Sequence, residues 1–135
     1  AYRYSGLTLQ PLPWTPSLLK LKNRVEALTG GTFNSVLLNY YRDQNDSMGM
    51  HSDDEKELGR QPAIASLSLG DERLFSLRHR TRRELKTVRL PLADTSLLLM
   101  RGETQRYWRH GIDKSRQPCG PRVNLTFRRI LHEPG

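Results

Sequence analysis

The chain has 135 residues, one cysteine, and 22 lysines and arginines against 14 acidic residues, a net charge of +8. That length fits a single domain, residues 1–135, able to bury a core without disulfides, and Cys119 has no second cysteine to bond. The apolar runs are short pieces such as SLLLM, far below the roughly 18 residues that span a bilayer, so a soluble protein without membrane contact is expected. A lone thiol and no signal peptide point to a reducing compartment, the cytoplasm of a bacterium or the nucleus of a eukaryote. The sequence begins Ala1-Tyr2 without a methionine, as a fragment would. Its basic excess favours a polyanionic partner, most simply nucleic acid, over a membrane or an acidic protein. A solvated basic face with no partner is the plain alternative.

One helix is predicted near the start. Thr15 can cap it, Pro16 suits its first turn, and Leu18, Leu21, Val25 and Leu28 recur at helical spacing until Gly30-Gly31 ends it. After Gly31 the pattern changes to short runs with β-branched and apolar alternation between turn signals: FNSVLLNYY, AIASLSLG, RLFSLRH, KTVRLPL, TSLLLMRG and PRVNLTFRRI. A helix followed by these runs predicts a mainly β fold, a sandwich or jelly roll with one covering helix.

The stretch from Asn39 to Glu55, NYYRDQNDSMGMHSDDE, holds five acidic residues in 17 positions of this basic chain. In a strand Asn39 and Tyr41 project to one face and Leu38 and Tyr40 to the other. If MHSDD is extended, His51 and Asp53 likewise share a face, with Ser52 and Asp54 opposite. Asp43, Asp46 and Glu57 read as turn and surface residues. Between two strands, Arg73 to Arg89 carries Arg73, Arg78, Arg80, Arg82, Arg83, Lys86 and Arg89 against Glu84 alone. This is a basic hairpin that either grips a phosphate backbone or is simply solvated. His79 within it and His132 in the tail read as surface residues, and Trp14 and Trp108 as core or rim.

The last strand places Arg122, Asn124, Thr126 and Arg128 on one face and Val123, Leu125 and Phe127 on the other. Such a ladder of donors needs solvent, as on an exposed edge, or an anionic ligand. The pair His51-x-Asp53, the distant His110, and arginines 12 to 18 residues beyond it match the needs of a 2-His-1-carboxylate iron site with a dicarboxylate clamp.

Taken together these motifs resemble the AlkB family of iron(II)- and 2-oxoglutarate-dependent dioxygenases, in its nucleic-acid-repair branch. The segments that carry the resemblance are YSGLTL, FNSVLLNYYRD, MHSDDEKELG, PAIASLSLG, RLPLADTSLLLM, YWRHGI and PRVNLTFRRI. It implies a double-stranded β-helix, the jelly-roll barrel, with the metal in its mouth. His51, Asp53 and His110 would ligate iron(II). Arg128 would clamp the distal carboxylate of 2-oxoglutarate, flanked by Arg122 and Thr126, while Asn39 and Tyr41 would hydrogen-bond the cosubstrate from the opposite strand.

The implied reaction is oxidative demethylation of N-alkylated bases such as 1-methyladenine and 3-methylcytosine in DNA. With O2, it turns 2-oxoglutarate into succinate and CO2 and releases formaldehyde. Asp54 and Glu55 would favour a cationic lesion electrostatically, or form a solvated turn. Tyr2 and Tyr4 would sandwich the flipped base against His51. Arg78, Arg80, Arg82 and Arg83 would hold the backbone of alkylated DNA, or of RNA. The upstream part of the family's nucleotide-recognition lid is not in the sequence, and a monomer is expected. The rival readings are an RNA demethylase, another 2-oxoglutarate hydroxylase, or a non-catalytic nucleic-acid-binding module.

Overall fold

The computed structural model describes residues 2–4, 7–9 and 14–131. Strands β1 (Tyr2–Tyr4) and β2 (Leu7–Leu9) pair with each other as a small antiparallel sheet. Helix α1 spans Pro16–Thr29. The Thr15 hydroxyl accepts a hydrogen bond from the Leu18 N–H at 3.2 Å, and Gly30 ends the helix with φ +76°, a left-handed conformation that costs glycine little.

Eight further strands follow: β3 (Ser35–Tyr41), β4 (Met48–His51), β5 (Ile64–Gly70), β6 (Arg73–His79), β7 (Val88–Leu92), β8 (Ser96–Met100), β9 (Trp108–Ile112) and β10 (Arg122–Arg128). A single 3-10 turn (Lys56–Leu58) follows β4, and a short helix α2 (Thr104–Tyr107) leads into β9. They form two four-stranded antiparallel sheets, ordered β3-β10-β5-β8 and β4-β9-β6-β7. All six runs expected as strands are strands.

The inner faces of the two sheets meet in a core of Tyr41, Ile64 and Met100 from the first and Phe75, Leu92 and Ile112 from the second. A second cluster lies outside the first sheet, where Val25 and Phe33 pack on Ala65, Leu125 and Phe127. That sheet is therefore covered on both sides, and its central strand β10 is buried almost throughout. An exposed edge is excluded for β10, because β3 and β5 flank it. Its donor face points into the barrel, and burial of so many polar groups there demands internal partners or a ligand.

Helix α1 differs from expectation at one position. Val25 is buried and Leu18 and Leu21 pack against the same cluster, but Leu28 is 68% exposed in the last turn. At the helix end Phe33, just past Gly30-Gly31, fills the cluster beside Val25, and the apolar stripe does not extend to Leu28. Replacing Phe127, fully buried beneath α1, by alanine is expected to lower the unfolding free energy by about 3–5 kcal/mol. Leu28→Ala should stay within about 0.5 kcal/mol of the parent. Denaturant titration of the two variants checks this contrast.

A candidate metal centre at the mouth of the barrel

Strand β4 pairs with β9 through Met48↔Ile112 and His51↔His110, so three residue steps on β4 oppose two on β9. The extra residue is a β-bulge. Strict alternation would send Met48 and His51 to opposite faces; the bulge turns both inward, Met48 to the core and His51 to the cavity. Gly111 makes room for it, since a Cβ there would sit 2.7 Å from the Met48 carbonyl oxygen. The two imidazoles end with ring centroids 4.4 Å apart.

Asp53 arrives by another route. β4 ends at His51, and Asp53 lies in the following irregular segment rather than two places along an extended strand. The buried side chain of Gln105, on α2, accepts the Asp53 backbone N–H at 2.8 Å. The Ser52 hydroxyl donates to the Trp108 carbonyl at 2.6 Å. These two bonds hold the Asp53 carboxylate, 1% exposed, between His51 Nε2 at 3.6 Å, His110 Nε2 at 3.7 Å and Arg128 Nη2 at 3.2 Å.

Ligand atoms of His51, Asp53 and His110 all lie within 4.8 Å of one another, the spacing of groups that can share one ion. Two features fit them to a cation. Both carboxylate oxygens of Asp53 are buried, and their contacts are the ion pairs with His51, His110 and Arg128, all groups that favour its charged, ligating form. His51 Nδ1 lies 2.9 Å from the Gly49 carbonyl, which can only accept, so Nδ1 carries the proton and Nε2 keeps its lone pair.

The charge states of Asp53 and His110 agree with this role, whereas His51 must give up a proton from Nε2 to an incoming ion. Burial would raise the pKa of Asp53, but His51, Arg128 and His110 outweigh it and hold the carboxyl down to about 2. Burial pushes His110 down to about 4, so its imidazole is neutral at pH 7. Burial also works against charge on His51, yet the neighbouring Asp53 carboxylate and the Gly49 carbonyl win and raise it.

Along the barrel from the triad, β10 and β3 lie side by side, with Arg122 opposite Tyr41 and Asn124 opposite Asn39. Asn39 and Tyr41 thus share a sheet with the arginines rather than facing them across the barrel. Together these side chains and the triad line one open-mouthed cavity of about 430 Å³, mouth included.

Arg122 donates from Nη2 to Ser68 Oγ at 2.9 Å and lies 4.9 Å over the Tyr41 ring, while its Nε and Nη1 are buried without a hydrogen-bond partner. Burial depresses its pKa, and the guanidinium stays charged. The Tyr41 phenol is raised by burial. Thr126 donates to Asn124 Oδ1 at 2.7 Å, and Asn124 Nδ2 donates to Ser66 Oγ at 2.6 Å. About 20 Å of strand separates Arg122 from Arg128. Arg128 touches the metal-ligating candidate Asp53, and Arg122 lies at the far end of the cavity, so the distal-clamp expectation for Arg128 does not match its place.

Other expected residues are elsewhere. Asp54 is exposed and paired with Arg80 Nη1 at 3.5 Å, and neither it nor Glu55 lines the cavity. The side chains of Tyr2 and Tyr4, and His132, lie outside the described residues. Arg78, Arg80, Arg82 and Arg83 are exposed on and beyond β6, and Arg82 Nε pairs with Glu84 at 2.8 Å. Arg73 does not belong to that surface. It is buried, and its Nη2 donates to the carbonyls of Asp46 at 2.8 Å and Asp113 at 2.7 Å, tying two loops together. Asp46 and Asp43 shape a turn, Asp46 by clasping Arg42.

Sequence reasoning gave no role to Ser66, Ser68 or Gln105. The serines had a signal, because they alternate with Leu67 and Leu69 on a strand otherwise apolar. Gln105 had none, since its value comes from a contact 52 residues away.

A protein that gathers two imidazoles, one carboxylate and a buried guanidinium clamp in a jelly roll fits a class of non-haem metal oxygenases. A family model described as the 2OG-Fe(II) oxygenase superfamily matches residues 1–128, and the chain belongs to that superfamily. It is 47% identical over 141 residues to alpha-ketoglutarate-dependent dioxygenase alkB homolog 3 of Homo sapiens, covering 98% of this chain and 49% of that protein. To DNA oxidative demethylase ALKBH2 of Homo sapiens it is 46% identical over 136 residues, covering 96% and 52%. The chain thus spans about half the length of these curated relatives. The solved structure of OsALKBH1 superposes with a TM-score of 0.63 over 87% of this chain and 65% of that one, at 20% identity, a likeness of fold.

Removing the amide that anchors Asp53, by Gln105→Ala, is expected to weaken iron(II) binding about 10- to 100-fold with the circular dichroism spectrum unchanged. A metal titration checks it; unaltered affinity would mean that Asp53 needs no such anchor.

Proposed function

We propose that this chain is the catalytic core of an iron(II)- and 2-oxoglutarate-dependent dioxygenase that removes alkyl groups from N-alkylated bases, such as 1-methyladenine and 3-methylcytosine, in DNA. The observation that carries this reading is the convergence, in one cavity, of the triad His51, Asp53 and His110 with a dianion-sized set of donors on β10 and β3. The similarity to an enzyme named DNA oxidative demethylase supports the choice of nucleic acid and of reaction.

His51, Asp53 and His110 would hold the metal, whose chemistry is the O2-dependent oxidation that converts 2-oxoglutarate to succinate and CO2 and hydroxylates the N-alkyl carbon. The chain's own residues bind and orient. Arg122, with two unpartnered donors, is matched to the distal carboxylate of 2-oxoglutarate, and the Tyr41 phenol and Ser68 hydroxyl beside it complete the clamp. Asn39, Asn124 and Thr126 line the path between the clamp and the triad. Arg128, against Asp53, holds that carboxylate ionised and turned toward the imidazoles. The hydroxylated alkyl group then leaves as formaldehyde, which restores the base without cutting the strand.

Asp54 and Glu55 would have to reach the cationic lesion from outside the cavity, with Arg80 as the competing partner of Asp54. Tyr2 and Tyr4 are proposed to close over the base, with His51 on its other side. The hairpin arginines Arg78, Arg80, Arg82 and Arg83 are proposed to hold phosphates, which does not separate DNA from RNA.

The test is anaerobic loading with iron(II) and 2-oxoglutarate, then air and a short oligonucleotide carrying 1-methyladenine, read by mass spectrometry. Loss of the methyl mass together with succinate is expected. Succinate without demethylation would redirect the search to another substrate, and neither product would leave a non-catalytic binding module. The two arginines separate the roles further. Arg122→Ala should raise the 2-oxoglutarate requirement about 10- to 100-fold with iron(II) binding intact. Arg128→Ala should impair iron(II) binding itself, and equal effects on both ligands from both variants would refute the division.

A further inference from the structure

Beside the cavity, where β6 ends and β9 begins, basic and planar side chains alternate. His79 Nδ1 accepts the backbone N–H groups of Thr81 at 3.2 Å and Arg82 at 2.9 Å, which fixes the ring in orientation. Against it the Tyr107 ring stacks with centroids 6.0 Å apart and planes 12° from parallel, and Trp108 meets its edge at 5.1 Å. The Arg106 guanidinium lies 5.3 Å from the Tyr107 ring centroid. Arg80 joins the two segments, its N–H donating to the Tyr107 carbonyl at 2.7 Å and its Nη1 to the Arg106 carbonyl at 3.3 Å.

Tyr107 is held in this way yet 38% exposed, one of the few large rings the described surface offers. Arg78 and Arg109 are exposed and sit directly opposite each other across β6 and β9, on the face turned away from His79 and Trp108. Like charges in that register repel, an arrangement that an anion between them relieves. Tyr107 also lies three residues, roughly 10 Å of strand, from His110, and Ser52 bonds Trp108 to the metal-ligating segment.

We infer that Tyr107, propped by His79 and joined by Arg106, is a stacking platform for the unpaired base next to the one delivered to the metal. The inference rests on the nucleic-acid substrate proposed for the metal site. A flat ring with a guanidinium accepts any base, and only a single strand presents an open base face, so the platform favours single-stranded DNA or RNA over duplex.

The test is fluorescence anisotropy of labelled, unmodified strands roughly 12 nucleotides long, within the span that one domain covers, without metal or 2-oxoglutarate. Tyr107→Ala should weaken single-strand binding about 5- to 100-fold, equally for DNA and RNA of one sequence, and leave the salt dependence unchanged, because stacking releases no counterions. Tyr107→Phe, which keeps the ring, should bind within about twofold of the parent and shows that an exposed substitution leaves the fold intact.

Parent-like binding by Tyr107→Ala, a loss confined to one sugar, or an equal loss on duplex would each overturn the platform while leaving the nucleic-acid reading in place. Failure of the parent protein to bind any strand would overturn both.

Discussion

A carboxylate with almost no exposure, enclosed in a β-barrel, is the constraint on which the rest of this structure depends. Asp53 is kept ionised by two imidazoles and the guanidinium of Arg128, each within 4 Å. Burying that charge carries a large desolvation cost, which the Arg128 guanidinium and the two imidazoles offset in part and a metal ion held by the triad would offset further. The fold supplies them from separate strands: His110 from β9, His51 from β4, Arg128 from β10. None is local to another, so the centre exists only when both sheets have formed.

The burial of β10 follows from the same need. Its inward face carries Arg122, Asn124, Thr126 and Arg128, a row too polar for an ordinary core. Such a strand is tolerated at the centre of a sheet because its outward face is fully apolar and lies under α1. Phe127 and Leu125 there contribute packing that the inward face cannot. The inward groups are then satisfied in part by the serines of β5, and the donors left over on Arg122 define what a ligand must bring.

The basic residues show how little net charge says about role. Arg73 is a buried tie between loops, Arg122 a buried donor to Ser68 in the cavity wall, Arg128 a partner of Asp53, and Arg78 and Arg109 face each other on the surface. Identical side chains acquire these roles from depth and neighbours, since a guanidinium in low dielectric interacts far more strongly than one in water.

Much of the fold was legible in the sequence because its signals are local. Capping by Thr15, termination at Gly30 and the period-two runs all depend on residues within a few positions of each other, and they mark the helix and six strands. The ligand types were legible too: only His-x-Asp with a later histidine offers this donor set, and the alternation in β10 already separates its polar from its apolar face. Tertiary structure decided what alternation cannot. The bulge in β4 reverses the facing of His51, Gln105 places Asp53 where no strand continues, Leu28 stays exposed while Phe33 fills the cluster beside Val25, and Arg122, not Arg128, lies at the far end of the cavity. Each of these turns on a contact between segments far apart in the chain, and a periodic pattern records which way a side chain points but not what stands opposite it.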